Sequence, residues 1–304
     1  MIISASRRTD IPAYYSKWFL NRLKEKYVLV PNPYNTKRLS LVRLSPDIVD
    51  CIVFWTKNPS QMMDKLNDIA DAGYKFYFQF TLTPYGKDIE PNLPPKTTLA
   101  ETFLKLSGKI GSERVIWRYD PIIIDGNFTA GYHLKQFSKM CGILGGAAKR
   151  CIISFIDPYK TGFRSMDIHE MEFIAQNFSQ TASRYGLKLF TCAEKIDLSR
   201  FGIAHSSCID KKLIEQITGY RINAKKDAGQ RSFCGCIESI DVGVYNTCAC
   251  GCKYCYAVSD KKALLRNIKG HRPDSPILSG VPAGNELITD RTGVSQKITQ
   301  LSLY

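Results

Sequence analysis

Short apolar runs recur along the whole chain with helix-like stretches between them, and this alternation limits the fold more than any other feature. The runs are Ile2 to Ser6, Tyr27 to Pro31, Cys51 to Thr56, Phe76 to Thr83, Arg114 to Pro121, Cys151 to Asp157, Leu187 to Ala193 and Ser239 to Tyr245. They are rich in Val, Ile, Phe and Tyr, and several are apolar on both faces, as buried parallel strands require. Helix-like segments lie between most of them: Tyr15 to Lys26, Gln61 to Ala72, Thr98 to Ile110, Gly131 to Leu144 and Asp167 to Tyr185. Strand then helix, repeated about eight times, predicts an α/β protein with a parallel sheet. Eight such units in roughly 250 residues fit a full or partial (β/α) TIM-like barrel, with a doubly wound open sheet as the alternative. The expected organisation is one barrel over residues 1–257, then a helix and a Pro/Gly/Ser-rich extension over 258–304.

Polar residues follow almost every run. Arg7, Arg8 and Asp10 follow the first, Lys57 and Asn58 the third, and Thr81 and Thr83 end the fourth. Arg118 and Asp120 end the fifth, Asp157 the sixth, and Glu194 and Lys195 the seventh. Any single one of these reads as a strand leaving the core. Together they place charges of both signs at the strand ends that converge on one mouth in a parallel barrel. Trp55, Trp117 and Tyr119 supply aromatic faces in the same stretches, with core packing as the competing use.

The net charge of +14, from 42 basic and 28 acidic side chains, favours an anionic partner such as nucleic acid or a phosphorylated metabolite. No apolar run is long enough to span a bilayer, and the first residues lack the apolar core of a signal peptide. A cytoplasmic, non-membrane protein is expected. There, the eleven cysteines point to metal binding or catalysis rather than to disulfides. No phosphate-binding loop, nucleophile elbow or dinucleotide fingerprint occurs, and no histidine has a partner at ligand spacing.

The cysteines concentrate after the last apolar run. "YNTCACGCKYCYA" carries Cys248, Cys250, Cys252 and Cys255 within eight residues. Cys248, Cys252 and Cys255 form C-x₃-C-x₂-C, with Tyr254 before the last cysteine. Three thiolates on one loop can hold three irons of a [4Fe–4S] cube and leave the fourth open. Small Ala249 and Gly251 let the backbone wrap closely. A tighter C-x-C-x₂-C register through Cys250 is the alternative. Elsewhere, Cys234 and Cys236 form "FCGC", and Cys192 and Cys208 lie in separate segments. These four can hold a second Fe–S cluster or a tetrahedral Zn²⁺, the spacing leaning to iron–sulfur; the alternative is that Cys192 and Cys208 are buried small hydrophobes. Cys51, Cys141 and Cys151 sit in apolar surroundings and are expected in the core.

The C-x₃-C-x₂-C motif with its aromatic resembles that of the radical S-adenosylmethionine (SAM) superfamily. The resemblance implies a βα-barrel fold, a [4Fe–4S] cluster on Cys248, Cys252 and Cys255, and SAM on the open iron. It further implies an electron donor such as flavodoxin or ferredoxin, and a 5′-deoxyadenosyl radical that abstracts hydrogen from a substrate. In most members the motif follows the first barrel strand; here it follows the last, which implies a circular permutation of chain order. The chain has no G-G-E segment of the kind that often contacts the SAM amine, so Arg7, Arg8 and Asp10 are candidates for that contact. With Lys57, Asp157, Lys195 and Tyr254 they form the expected cofactor-binding set, and Arg118, Asp120 and Glu194 the expected catalytic set. More narrowly, "SASRRTDIPA", "FWTKNP", "WRYDPI", "TCAEKIDL", "CIDKKLI", "KDAGQRSFCGC" and the cysteine segment together resemble one bacterial family, domain of unknown function number 1848. The competing reading of the whole is a non-catalytic zinc- or iron–sulfur protein that binds nucleic acid or carries electrons.

Overall fold

The structure, a computed structural model, describes residues 1–157 and 162–299. β1 (Ile2–Ala5), α1 (Ile11–Tyr14) and α2 (Ser16–Glu25) open the chain. A hairpin of β2 (Tyr27–Asn32) and β3 (Asn35–Arg43) follows. Strands and helices then alternate: β4 (Cys51–Thr56), α3 (Leu66–Asp71), β5 (Phe76–Thr81), α4 (Lys96–Ile110), β6 (Val115–Ile122), α5 (Ala130–Leu144), β7 (Arg150–Phe155), α6 (Ile168–Arg184) and β8 (Lys188–Thr191). The last part holds β9 (Ala204–His205), α7 (Lys211–Thr218), β10 (Ile240–Asp241), α8 (Lys261–Lys269) and β11 (Leu287–Asp290).

Eight strands form one parallel sheet in the order β10-β1-β4-β5-β6-β7-β8-β9. From β1 to β9 the spatial order follows the chain order. The last strand of this sheet in the chain, β10, lies beside the first. The two edge strands, β9 and β10, are two residues each, and no ladder joins them among the described residues. The architecture is therefore α/β, an eight-stranded parallel sheet flanked by helices.

Strand alternation sorts the side chains onto two faces. Phe54, Phe76, Phe78, Phe80, Trp117, Tyr119 and Ile153 share one apolar cluster with Trp18 and Phe19 of α2, Ile69 of α3, Phe103 of α4, Phe137 of α5 and Phe178 of α6. The faces of Phe137 and Phe178 stack with centroids 3.9 Å apart. On the other face Cys51, Val53, Tyr77, Ile116 and Ile152 meet Ile209, Leu213 and Ile214 at the start of α7. Asp210 caps that helix, accepting from Lys212 N and Leu213 N, and its second oxygen pairs with Arg150 at 3.0 Å. α6 starts in a reciprocal capping box of Asp167 and Glu170.

Two expectations change, and the extension gains a strand. Tyr27 to Pro31 is a strand but not part of the parallel sheet. The turn at Pro33–Tyr34, where Asn32 accepts from Tyr34 N and Asn35 N, returns the chain at once into an antiparallel pair. No crossover intervenes, so a parallel partner is out of reach. The Pro/Gly/Ser-rich extension adds β11, parallel to β3, to that three-stranded sheet; residues 300–304 lie outside the described residues. The seven-residue strand expected at Ser239 to Tyr245 shortens to Ile240–Asp241. There the backbone runs so close to β1 that a Cβ on Gly243 would stand 2.0 Å from Ser6 Oγ.

Candidate functional site

The cysteine loop springs from β10. Asn246, at φ +55°, closes its neck: Asn246 N donates to Ala257 O at 2.9 Å, and the side chain accepts from Ser259 N and Asp260 N. Tyr15 Oη donates to Thr247 O at 2.6 Å. The loop then docks on the segment that leaves β5. Asn92 Nδ2 donates to Ala249 O at 2.8 Å, Asn92 N to Cys250 O at 3.4 Å and Lys253 N to Ile89 O at 3.0 Å. Gly251 sits at φ +71°, where a Cβ would stand 2.9 Å from Asn92 Nδ2 and 3.1 Å from Pro91 Cγ. Only glycine enters this turn without strain.

Cys248, Cys252 and Cys255 are half-buried, whereas Cys250 is buried. The Cys250 thiol touches those of Cys248 and Cys252 and accepts from Tyr14 Oη at 3.6 Å. Contact with Cys250 and, against burial, the attraction of Lys57 hold the Cys252 thiol below the usual cysteine range. Burial pushes the Cys255 thiol up to about 11.

A charged assembly lies against the loop. Lys57, just past β4, donates from Nζ to Glu90 Oε1 at 2.9 Å and to Tyr254 Oη at 2.6 Å. Glu90 also pairs with Lys96 and accepts from Tyr254 Oη. Burial would raise the Glu90 carboxyl, but Lys57 and Lys96 outweigh it and hold the group at about 2. Asp10 caps α1 through Ala13 N at 3.0 Å and accepts from Lys57 N at 2.7 Å. Its burial raises it to about 6.

A second group of thiols belongs to the other apolar cluster: Cys208, Cys234 and Cys236 are buried in it and Cys192 packs against it, whereas Cys250 belongs to the helix-side cluster. Those of Cys192, Cys234 and Cys236 all fall within 4.8 Å of one another. Cys208 touches Cys192 and Cys236. Arg118 donates from Nη1 to Cys208 Sγ and pairs through Nη2 with Asp120, which accepts from Ser154 Oγ. Burial would raise the Asp120 carboxyl, and Arg118 outweighs it and keeps the group low. Arg7 contacts Cys236 and lies over the Trp55 ring at 5.1 Å, as Arg118 does at 5.3 Å. Asp241 fastens this end of β1, accepting from Ser4 Oγ and Arg7 N at 2.8 Å each and from Ser6 Oγ at 2.5 Å.

The expected site residues thus divide. Lys57, Tyr254 and Asp10 gather at the cysteine loop; Arg7, Arg118 and Asp120 gather at the second thiol group. Arg8 lies over Tyr245 at 5.2 Å and donates to Gly243 O. Glu194 accepts from Phe155 N at 3.0 Å, and burial raises its carboxyl to about 7. Asp157 pairs with Arg231 at 2.8 Å, and Lys195 lies over Phe233 at 6.0 Å. Trp117 and Tyr119 are fully buried on the helix-covered face, so of the three aromatic candidates only Trp55 faces the charged groups. Sequence reasoning missed Glu90, Lys96, Asn92, Tyr14 and Asp241. Glu90 and Asn92 sit in an irregular Pro-containing loop, where only an acidic residue between apolar Ile89 and Pro91 hints at burial.

The family model for Domain of unknown function (DUF1848) matches residues 2–257, most of the chain and all of the thiols named above. The chain belongs to the DUF1848 family. No curated protein matches this DUF1848 chain. Among solved structures, a provisionally assigned alpha-L-fucosidase from Bacteroides thetaiotaomicron VPI-5482 aligns at 13% identity and a TM-score of 0.21. The alignment covers 49% of the DUF1848 chain and 66% of the other, just under two thirds of its length. A likeness that weak carries nothing about fold or activity.

Proposed function

We propose that this DUF1848 protein is a radical SAM enzyme whose sheet is an incompletely closed, circularly permuted barrel. One observation carries the reading: the C-x₃-C-x₂-C loop leaves β10, the strand beside β1, at the sheet end where the charged strand-end residues gather. The donor set fits a [4Fe–4S] cluster. Cys248, Cys252 and Cys255 sit on one loop with left-handed Gly251 at its bend. Cys248, Cys252 and Cys255 would hold the cluster, and the chemistry it would supply there is one-electron reduction of SAM, which splits SAM into methionine and a 5′-deoxyadenosyl group.

The chain's own residues have definable tasks. Lys57, Glu90 and Tyr254 hold the loop against the sheet and keep a cation beside Cys252. Arg7 Nη2, Thr9 Oγ1 and Thr83 Oγ1 are buried polar atoms without partners among the described residues, all just beyond strand ends. Such atoms suit a polar ligand. The excess of positive charge suits an anionic substrate, with nucleic acid and phosphorylated metabolites as the classes, and a small redox protein such as flavodoxin or ferredoxin suits the electron supply.

The test is anaerobic. The protein is purified without oxygen, reconstituted with iron and sulfide, reduced, and given SAM. The reading expects 5′-deoxyadenosine from wild type, and in Cys252→Ala the loss of both that product and about four irons. Iron without SAM cleavage, or an unchanged mutant, overturns it.

A further inference from the structure

We infer that Cys192, Cys208, Cys234 and Cys236 bind a single tetrahedral ion of the zinc class, and that this ion closes the sheet between its two open edges. The inference stands apart from the radical SAM reading and uses none of its ligands.

Compactness selects the ion. A Zn–S bond of about 2.3 Å places two thiolates on one tetrahedral centre roughly 3.8 Å apart. Cys192, Cys234 and Cys236 already fall within 4.8 Å of one another, and Cys208 touches two of them. A four-iron cube sits between its ligands and needs them farther apart. The sequence spacing leaned to iron–sulfur, because Cys234 and Cys236 are one residue too close for the usual zinc knuckle. The tertiary structure removes that objection by bringing the other two ligands from separate loops. Gly235 makes the narrow bend between Cys234 and Cys236, and a Cβ there would stand 2.8 Å from Ser207 Oγ.

Charge agrees. Four thiolates and one divalent cation leave a net charge of −2, and two guanidiniums reach the group: Arg118 donates to Cys208 and Arg7 contacts Cys236. Cys208, Cys234 and Cys236 are buried, so an unbalanced charge there would be costly. Four cysteine ligands leave no open position, which marks a structural site.

Topology supplies the purpose. Cys192 follows β8, Cys208 follows β9, and Cys234 and Cys236 precede β10. β9 and β10 each pair on one side only. Across the gap run Ile237 N to Ile209 O at 3.2 Å and Ile209 N to Cys236 Sγ at 3.4 Å. An ion on the four thiols ties both edges together where the strand ladder is missing.

The experiment counts zinc and iron in the full-length chain, as wild type, Cys252→Ala, Cys208→Ser and Cys236→Ser, and records the visible spectrum after cobalt replaces zinc in wild type. The expected result is about one zinc per chain in wild type and in Cys252→Ala, and its loss with a lowered melting temperature in the other two. If those two fail to fold, the cobalt spectrum of wild type decides, since tetrathiolate cobalt gives intense visible bands and sulfur-to-metal charge transfer. Zinc retained in Cys208→Ser and Cys236→Ser, a wild type with about eight irons and no zinc, or thiols found as disulfides without metal would each overturn the inference.

Discussion

Lys57 Nζ lies 2.9 Å from Glu90 Oε1, although the two residues leave different strands and Glu90 is 1% exposed. Lys96 and Tyr254 complete the group around the same carboxylate. Its value lies in position: it joins the loop after β5 to the cysteine loop.

Removing one partner of a buried pair strands the other charge. Glu90→Ala is expected to lower stability by about 3–5 kcal/mol, since Lys57 and Lys96 then lose their common counterion. Urea unfolding checks the cost. Hydrogen exchange at the Lys253 amide, bonded to Ile89 O, checks that the cysteine loop loosens. A variant as stable as wild type would show that the group contributes nothing.

Gly251→Ala puts a side chain at φ +71° and a Cβ 2.9 Å from Asn92 Nδ2. The left-handed conformation costs about 1 kcal/mol or more, and the clash adds to it. The expected outcome is a loss of 1–3 kcal/mol in chemical unfolding, together with lower iron retention after reconstitution. Gly219→Ala, left-handed at φ +78° but with open space around it, serves as the comparison and should cost only the strain.

His133 is fully buried, between Tyr119 Oη at 2.8 Å and Ile123 O at 2.7 Å. The carbonyl can only accept, so Nε2 carries the proton and Nδ1 accepts from the tyrosine. Burial lowers the imidazole from 6.5 to about 4. Its stabilising effect is therefore complete above pH 6.5 and is lost as pH falls toward 4, because the unfolded chain binds the extra proton first. The loss amounts to about 3 kcal/mol. Unfolding midpoints of wild type and His133→Leu across that window test it: the difference between them should shrink as pH falls.

Phe178 sits on the helix-covered face, stacked on Phe137 and edge-on to Tyr119. Phe178→Ala should cost about 3–5 kcal/mol, the usual penalty for emptying such a site. A cost under 1 kcal/mol would mean that α5 and α6 close over the space.

The helical segments are legible in the sequence because apolar periodicity is local. Gly131 to Leu144 and Asp167 to Tyr185 match α5 and α6 to within one residue at each end. The faces were also legible in principle: Trp117 and Tyr119 share parity in β6 and share a cluster. Glu90 was not, since nothing in a loop's own residues says that two lysines will converge on it. Nor was the place of Tyr27 to Pro31, because an apolar run reads the same in a hairpin and in a parallel sheet.

The sequence alone determined the alternation of strand and helix, the charges at the strand ends and the thiols that follow them, since each depends on neighbours within a turn or a strand. The tertiary structure alone decided which of these meet. Arg118 reaches Cys208 across 90 residues and Lys57 reaches Tyr254 across 197. Those distances are closed by sheet register, which sets β10 beside β1 and divides the cysteines into two separate groups. Register is the sum of many pairings along the whole chain, so no short stretch of residues encodes it.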